Sequence, residues 1–240
     1  MGIETVPLFR DDAYLRSAEA SIAAIDDSGN ILLDRSIFYP TGGGQPGDIG
    51  YLELADGERV EVTNTIYGSS KSEVVLIPAE GSPTPEVGSQ IVAHIDWARR
   101  YGHMRMHTAL HLLSVALPFA VTGGSIGAEA SRLDFDIPEA NLDKDEITAR
   151  VNAEIEKDHA VTTEWITDQE LEANPSLVKT MSVKPPMGSG RVRLVRIGDI
   201  DLQPCGGTHV SRTSEIGPIT VTKIEKKGKQ NRRVRIRLED

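Results

Sequence analysis

Residues 90–119 read QIVAHIDWARRYGHMRMHTALHLLSVALPF, and within them the spacing of apolar side chains changes. Ile91, Ala93 and Ile95 alternate with other residues, the period of a half-buried strand. From Trp97 the period lengthens. Leu110, Leu113 and Leu117 recur at helical spacing, and Gly102 is the only glycine between Trp97 and Phe119. The change predicts two domains, residues 1–95 and residues 96–240.

Working outward, short apolar alternations at 20–25, 31–38, 51–54, 60–66, 74–77 and 90–95 are separated by turn residues such as Asp26-Asp27-Ser28-Gly29-Asn30 and Asp56-Gly57. Closely spaced short strands of this kind predict a small N-terminal β-barrel. Beyond the long helix, strands are expected at 132–137, 161–166 and 191–202, with short helix 168–173. A helix at about 144–159 begins at Asp143, with Glu146 three residues on in a capping-box arrangement. Segments 219–224 and 233–238 flank a hairpin turn at 228–231. The expected class is therefore α+β, with the barrel first.

Several classes of protein are disfavoured. No apolar run approaches the roughly 18 residues that span a bilayer, so no membrane partner is expected. The N-terminus has no basic segment followed by an apolar one, so no secretory leader is expected. A single cysteine, Cys205, rules out an internal disulfide framework and suits a reducing cytoplasm. Nothing calls for a stable protein partner. The net charge of −10 argues against nucleic acid until its distribution is read: residues 181–240 hold 13 Lys and Arg against 6 Asp and Glu. The excess peaks in KIEKKGKQNRRVRIR, residues 223–237. Such a stripe is either a phosphate-binding surface or a solvated hairpin edge.

The chemistry lies in two short motifs. His107 and His111, in H-T-A-L-H, lie at i and i+4 of the long helix, so both imidazoles share a face and can reach one metal ion. Thr108 stands where a metalloprotease helix needs its general-base Glu, which disfavours that activity. His103 extends the row by a turn and is expected to back the pair or to be structural. The second motif is C-G-G-T-H, Cys205 to His209, following Pro204 and a strand. Gly206 and Gly207 would let the chain fold sharply there, so that thiolate and imidazole converge. A lone cysteine is most often simply buried. One thiolate with three imidazoles is nevertheless a good tetrahedral zinc set.

With H-T-A-L-H-L-L, C-G-G-T-H-V-x-x-T-x-x-I-G and the basic R-R-V-R-I strand in order, the chain resembles the editing domain of alanyl-tRNA synthetases. More closely, it is similar to the free-standing alanyl-tRNA editing proteins, the AlaX family. F-Y-P-T-G-G-G-Q-P-G-D-I-G, residues 38–50, resembles the glycine-rich loop of the members that carry an extra barrel. The resemblance implies zinc on His107, His111, Cys205 and His209, with Cys205 the residue on which activity most depends. It places Thr122 or Ser125 on the substrate's hydroxyl, and Arg132, Asp134 and Phe135 on a strand lining that pocket. Gly206 and Gly207 are expected beside the substrate. Transfer RNA contacts are expected from Gly43, Gly44 and Gln45, from Lys226, Lys227, Lys229, Arg232 and Arg233, and from Arg99, Arg100 and Arg105. The Gly-Gly-Gly-Gln run also invites comparison with the loop by which release factors hydrolyse peptidyl-tRNA, although a plain turn explains it as well.

The implied activity is trans-editing: ester hydrolysis of mischarged alanine tRNA, chiefly Ser-tRNA(Ala), with Gly-tRNA(Ala) as a second substrate. An alanine pocket rejects the extra hydroxyl of serine by only roughly a hundredfold, whereas a second site that must hydrogen-bond the hydroxyl can discriminate by roughly 10⁴-fold. Four protein ligands fill a tetrahedral shell, so zinc either activates water through a displaced ligand or only orients the substrate. The alternatives are a zinc-stapled tRNA-binding module without activity, and editing of Ser-tRNA(Thr).

Overall fold

Alternation in the first hundred residues becomes a closed barrel. The computed structural model describes residues 4–138, 141–179 and 190–239. The chain divides into two compact units, the first ending at Arg100 and the second beginning at Tyr101.

The first unit runs through β1 (Val6–Pro7), α1 (Leu8–Asp11), β2 (Ser17–Ile25), β3 (Ile31–Leu33), β4 (Arg35–Ser36), β5 (Gly50–Leu54), β6 (Arg59–Tyr67), β7 (Val74–Pro78) and β8 (Gln90–Ile95). Six of these strands close in the order β2-β3-β7-β6-β5-β8. Closure leaves no open sheet edge. Inward residues such as Ile22, Leu33, Leu52, Val60, Val62, Leu76 and Ile91 form one buried cluster. Fully burying each of these side chains contributes about 1.5–3 kcal/mol. In β6 the alternation breaks between Val62 and Asn64, where the pairing with β7 shifts register. The expected single strand at 31–38 stops at Leu33. The Asp34 carboxylate accepts hydrogen bonds from the Ser21 and Arg35 N–H groups, both at 2.8 Å, and the chain turns.

Two expectations for this unit are overturned. Arg100 is not a phosphate contact, because it is completely buried. Its Nε donates to the Asp48 carboxylate (3.0 and 3.1 Å), Nη1 to the Ala13 carbonyl (2.9 Å) and Nη2 to the Ile37 carbonyl (2.6 Å) and Asp48. Asp48 also accepts the Tyr39 N–H at 2.6 Å. Nor does Gln45 present its side chain to RNA, since it is only 1% exposed. Gly42 and Gln45 exchange both backbone hydrogen bonds around Gly43 and Gly44, whose φ angles are +59° and +85°. A two-residue turn with both central residues in the left-handed region favours glycine, and this one sends the chain on to Asp48. Gly43 and Gly44 form the exposed tip of the turn.

The second unit holds most of α2 (Trp97–Ala116), then β9 (Val121–Ser125), β10 (Ala130–Asp136), α3 (Lys144–Glu156), β11 (Val161–Thr167), α4 (Asp168–Ala173), β12 (Arg191–Ile197), β13 (Asp201–Pro204), β14 (Ile219–Lys226) and β15 (Asn231–Leu238). One antiparallel sheet has the order β14-β15-β10-β9, the other β11-β12-β13. Helix α3 buries Ile147, Val151 and Ile155, one stripe at i, i+4 and i+8. Asn152 brackets the backbone of Ile219 with two 2.9 Å hydrogen bonds, tying α3 to β14. Asp143 caps α3 by accepting from the N–H groups of Asp145 and Glu146, and the helix ends at Glu156, short of the expected 159. The expected strand 191–202 is a hairpin, split at Gly198, whose φ is +46°. Among the described residues no helix is long and apolar enough to cross a membrane.

Candidate metal centre

Helix α2 and the end of β13 bring His107, His111, Cys205 and His209 together. One ligand atom from each lies within 4.8 Å of all the others, a group that could hold a metal ion. The Cys205 sulfur is 3.4 Å from His107 Nε2 and 3.2 Å from His209 Nε2. The imidazole centroids are separated by 5.4 Å for His107–His111, 4.2 Å for His107–His209 and 4.7 Å for His111–His209. His103 is buried but is not part of this group.

What surrounds the four side chains sets their orientation. His111 Nδ1 lies 3.0 Å from Asp201 Oδ2, and a carboxylate there places the ring proton on Nδ1 and leaves Nε2 as the ligand atom. Asp201 is held in turn by the Lys179 ammonium (2.5 Å) and by the Gln203 side-chain amide (2.8 Å). His209 is treated similarly. The Thr108 hydroxyl donates to the Met104 carbonyl at 2.9 Å, so it accepts from His209 Nδ1 at 3.1 Å. The residue that stands in place of a metalloprotease glutamate thus aims a histidine. Arg193, buried, donates to the carbonyls of Cys205 and Gly207, both at 2.9 Å, which fixes the loop.

The electrostatics fit a cation. Burial opposes ionisation of Cys205, yet the imidazoles of His107 and His209 hold its thiol well below the ordinary range. Burial and the charge of His107 push His209 down to about 3. Burial also works against protonation of His111, but Asp201 and Cys205 outweigh it and raise this group to about 9. A thiolate with a protonated imidazole beside it is a pocket in which a proton supplies the positive charge that a metal ion would otherwise bring.

Asp201, Gln203, Thr108 and Lys179 escaped the sequence reading. The first two carried a signal. In D-L-Q-P-C, alternate residues Asp201, Gln203 and Cys205 point one way along a strand, and β13 buries Asp201 and Gln203. Asp201→Asn should weaken zinc binding by about 10–100-fold, measured by competition with a chromophoric chelator. Unchanged affinity would remove Asp201 from the centre.

The remaining expected site residues are dispersed. Thr122 is the extra residue of a bulge in β9, where pairing with β10 shifts between Asp134 and Phe135. Its hydroxyl donates to the Asp134 carbonyl (3.1 Å) and accepts from the Asn231 amide (2.9 Å). The neighbouring Val121 N–H bonds the carbonyl of Lys179, whose ammonium reaches Asp201. Ser125 is exposed, farther along the same strand. Arg132 and Arg233 both pair with Asp134, at 2.6 and 2.7 Å, so Arg233 is engaged in the sheet rather than held out for phosphate. Arg105 donates to the Ile216 carbonyl, and Arg99 is half-buried. Glu225 draws in Lys223, Lys227 and Arg235, while Arg232 meets backbone carbonyls of its own turn. Lys226 and Lys229 are exposed. Gly206 and Gly207 do not use the left-handed region; Gly206 is exposed with open space beside it.

The described residues thus form a mixed α/β chain with a closed six-stranded barrel and a Cys-His₃ group that could hold a metal ion. Residues 192–235 match the family model described as threonyl and alanyl tRNA synthetase second additional domain, and residues 8–99 match class II (A) tRNA synthetases. The chain is 35% identical to the alanyl-tRNA editing protein AlaX-M of Methanosarcina acetivorans, over 98% of this chain and 100% of that one. It is 36% identical to AlaX-M of Saccharolobus solfataricus, over 96% and 97%. It is also 34% identical to an alanine–tRNA ligase of Pyrobaculum neutrophilum, over 92% of this chain but 25% of the ligase. The chain belongs to the alanyl-tRNA editing protein family, together with the AlaX-M proteins.

Proposed function

We propose that this chain is a zinc-dependent aminoacyl-tRNA deacylase that hydrolyses the ester of Ser-tRNA(Ala), and of Gly-tRNA(Ala), in trans. The observation that carries the reading is the convergence of His107, His111, Cys205 and His209 from two remote segments, with Asp201 and Thr108 turning two of the imidazoles toward the centre. Zinc is the ion suited to one thiolate and three imidazoles. When bound, it would supply a positive charge and Lewis acidity beside the ester.

The chain's own residues do the rest. The substrate is an activated ester, so positioning of water and ester supplies much of the rate. Water adds to the acyl carbon, the bond to the ribose oxygen breaks, and serine and uncharged tRNA leave. Asp134 and Asn231 hold the Thr122 hydroxyl in one orientation, as a group that tests for a seryl hydroxyl needs. Ser125, exposed on the same strand, is the other candidate. Lys226 and Lys229, with Lys227, Arg232 and the tip Gly43-Gly44, supply contacts to the phosphate backbone.

The filled set of four protein ligands favours an orienting ion over one that activates water. Single-turnover deacylation of Ser-tRNA(Ala), beside Ala-tRNA(Ala) and Ser-tRNA(Thr), tests the whole reading. Rapid loss of serine from the alanine tRNA alone is expected, and indifference among the three would overturn it. Thr122→Val should lower kcat/KM for Ser-tRNA(Ala) about tenfold, the effect of stranding one buried hydrogen-bonding group. A variant that edits serine as well as its parent removes Thr122 from recognition.

A further inference from the structure

The second sheet of the C-terminal unit carries an exposed tryptophan on the face that holds the candidate centre. Trp165 in β11 is 48% exposed, one of five large hydrophobic side chains left open to solvent among the described residues. Its partner in the ladder is Arg193 of β12, and the Arg193 carbonyl accepts the Cys205 N–H at 3.1 Å. Trp165, Arg193 and Cys205 therefore form one row across three strands, and paired residues of an antiparallel ladder project from the same face. Asp201 and Gln203, which meet each other behind His111, lie on that face too, opposite Ile197 and Val195.

Neighbouring strands lie about 4.8 Å apart, so the Trp165 backbone stands roughly 10 Å from that of Cys205. That interval suits a nucleoside whose ribose carries the ester at the centre and whose base extends to one side. Gly206 leaves open space next to Cys205, and Arg191, exposed on the same face, pairs with Thr167 two residues beyond Trp165. The opposite face of the sheet is occupied, with Val192 and Leu194 packing on Leu171.

We infer that Trp165 is a stacking platform for the nucleobase of the 3′-terminal nucleotide, the one that bears the aminoacyl ester. This rests on the deacylase reading above and adds a subsite to it. An unpaired RNA end offers its base faces to aromatic side chains, and an exposed indole gives such a base a large flat surface. Arg191, exposed beside the platform, adds positive charge suited to a backbone phosphate.

The test uses the full-length protein with Ser-tRNA(Ala), and wild type, Trp165→Ala and Trp165→Phe. Stacking predicts an about tenfold higher KM for Trp165→Ala with kcat unchanged, and substantial rescue by Trp165→Phe. It also predicts that a short RNA ending in an uncharged 3′ adenosine quenches the indole fluorescence of the wild type but not that of Trp165→Phe, which retains Trp97. An unchanged KM in Trp165→Ala, or equal quenching in wild type and Trp165→Phe, overturns the subsite while leaving a wild-type deacylase intact. Failure of the wild type to release serine, with Trp165-dependent quenching still present, would instead overturn the deacylase reading and leave an RNA-end-binding site.

Discussion

Cys205→Ala is expected to lower deacylation of Ser-tRNA(Ala) by at least about a hundredfold while the far-ultraviolet circular dichroism stays that of the parent. The reason is the composition of the cluster. Cys205 is the only soft, anionic member, and His107 and His209 face its sulfur at 3.4 and 3.2 Å. Removing it takes the only thiolate from the group and leaves imidazole nitrogens alone to face the ion. Cys205 is half-buried at the end of β13, and its loop is still held by Arg193 through the Cys205 and Gly207 carbonyls, so the fold loses little. Zinc content, measured by atomic emission on the purified variant, should fall with the activity. A variant that keeps both its metal and its rate would show that the thiol is a bystander.

Arg100→Met is expected to destabilise the barrel unit by about 3–5 kcal/mol, because it leaves the buried carboxylate of Asp48 without its partner. The guanidinium also satisfies the carbonyls of Ala13 and Ile37, which methionine cannot do. Arg100→Lys should rescue little, since one ammonium cannot reproduce a planar fork that serves three groups at once. The check is urea unfolding followed by the fluorescence of Trp97, which lies beside Tyr14 and under Arg16 in the same unit, in a Trp165→Phe background. A loss smaller than about 1 kcal/mol would mean that water or a neighbouring group compensates Asp48.

These two arginine and cysteine cases show what a sequence reveals and what it hides. The four residues of the candidate centre were legible because chemistry and spacing coincided: a histidine pair at i, i+4, and a lone cysteine four residues before another histidine. Barrel strands were legible through alternation and turn residues. Arg100 was misread because residue type reports charge and not burial; only the closed barrel reveals that Asp48 lies opposite it. Gln45 was misread for the same reason, since the glycines before it announce a turn but not which way the next side chain goes. Strand β9 was hidden in T-G-G-S, a composition that suggests a loop, and only pairing with β10 makes it extended. The break at Gly198 separates two apolar runs that read as one strand, and its positive φ is what forms the hairpin. Asp201 and Thr108 were passed over because an outer partner of a ligand has no spacing rule of its own.

Removal and return of the metal tests the central claim most directly. Protein stripped by a chelator and exchanged into metal-free buffer should retain its circular dichroism, lose hydrolysis of Ser-tRNA(Ala), and regain it on titration with one equivalent of zinc. Undiminished hydrolysis by the stripped protein would contradict the account.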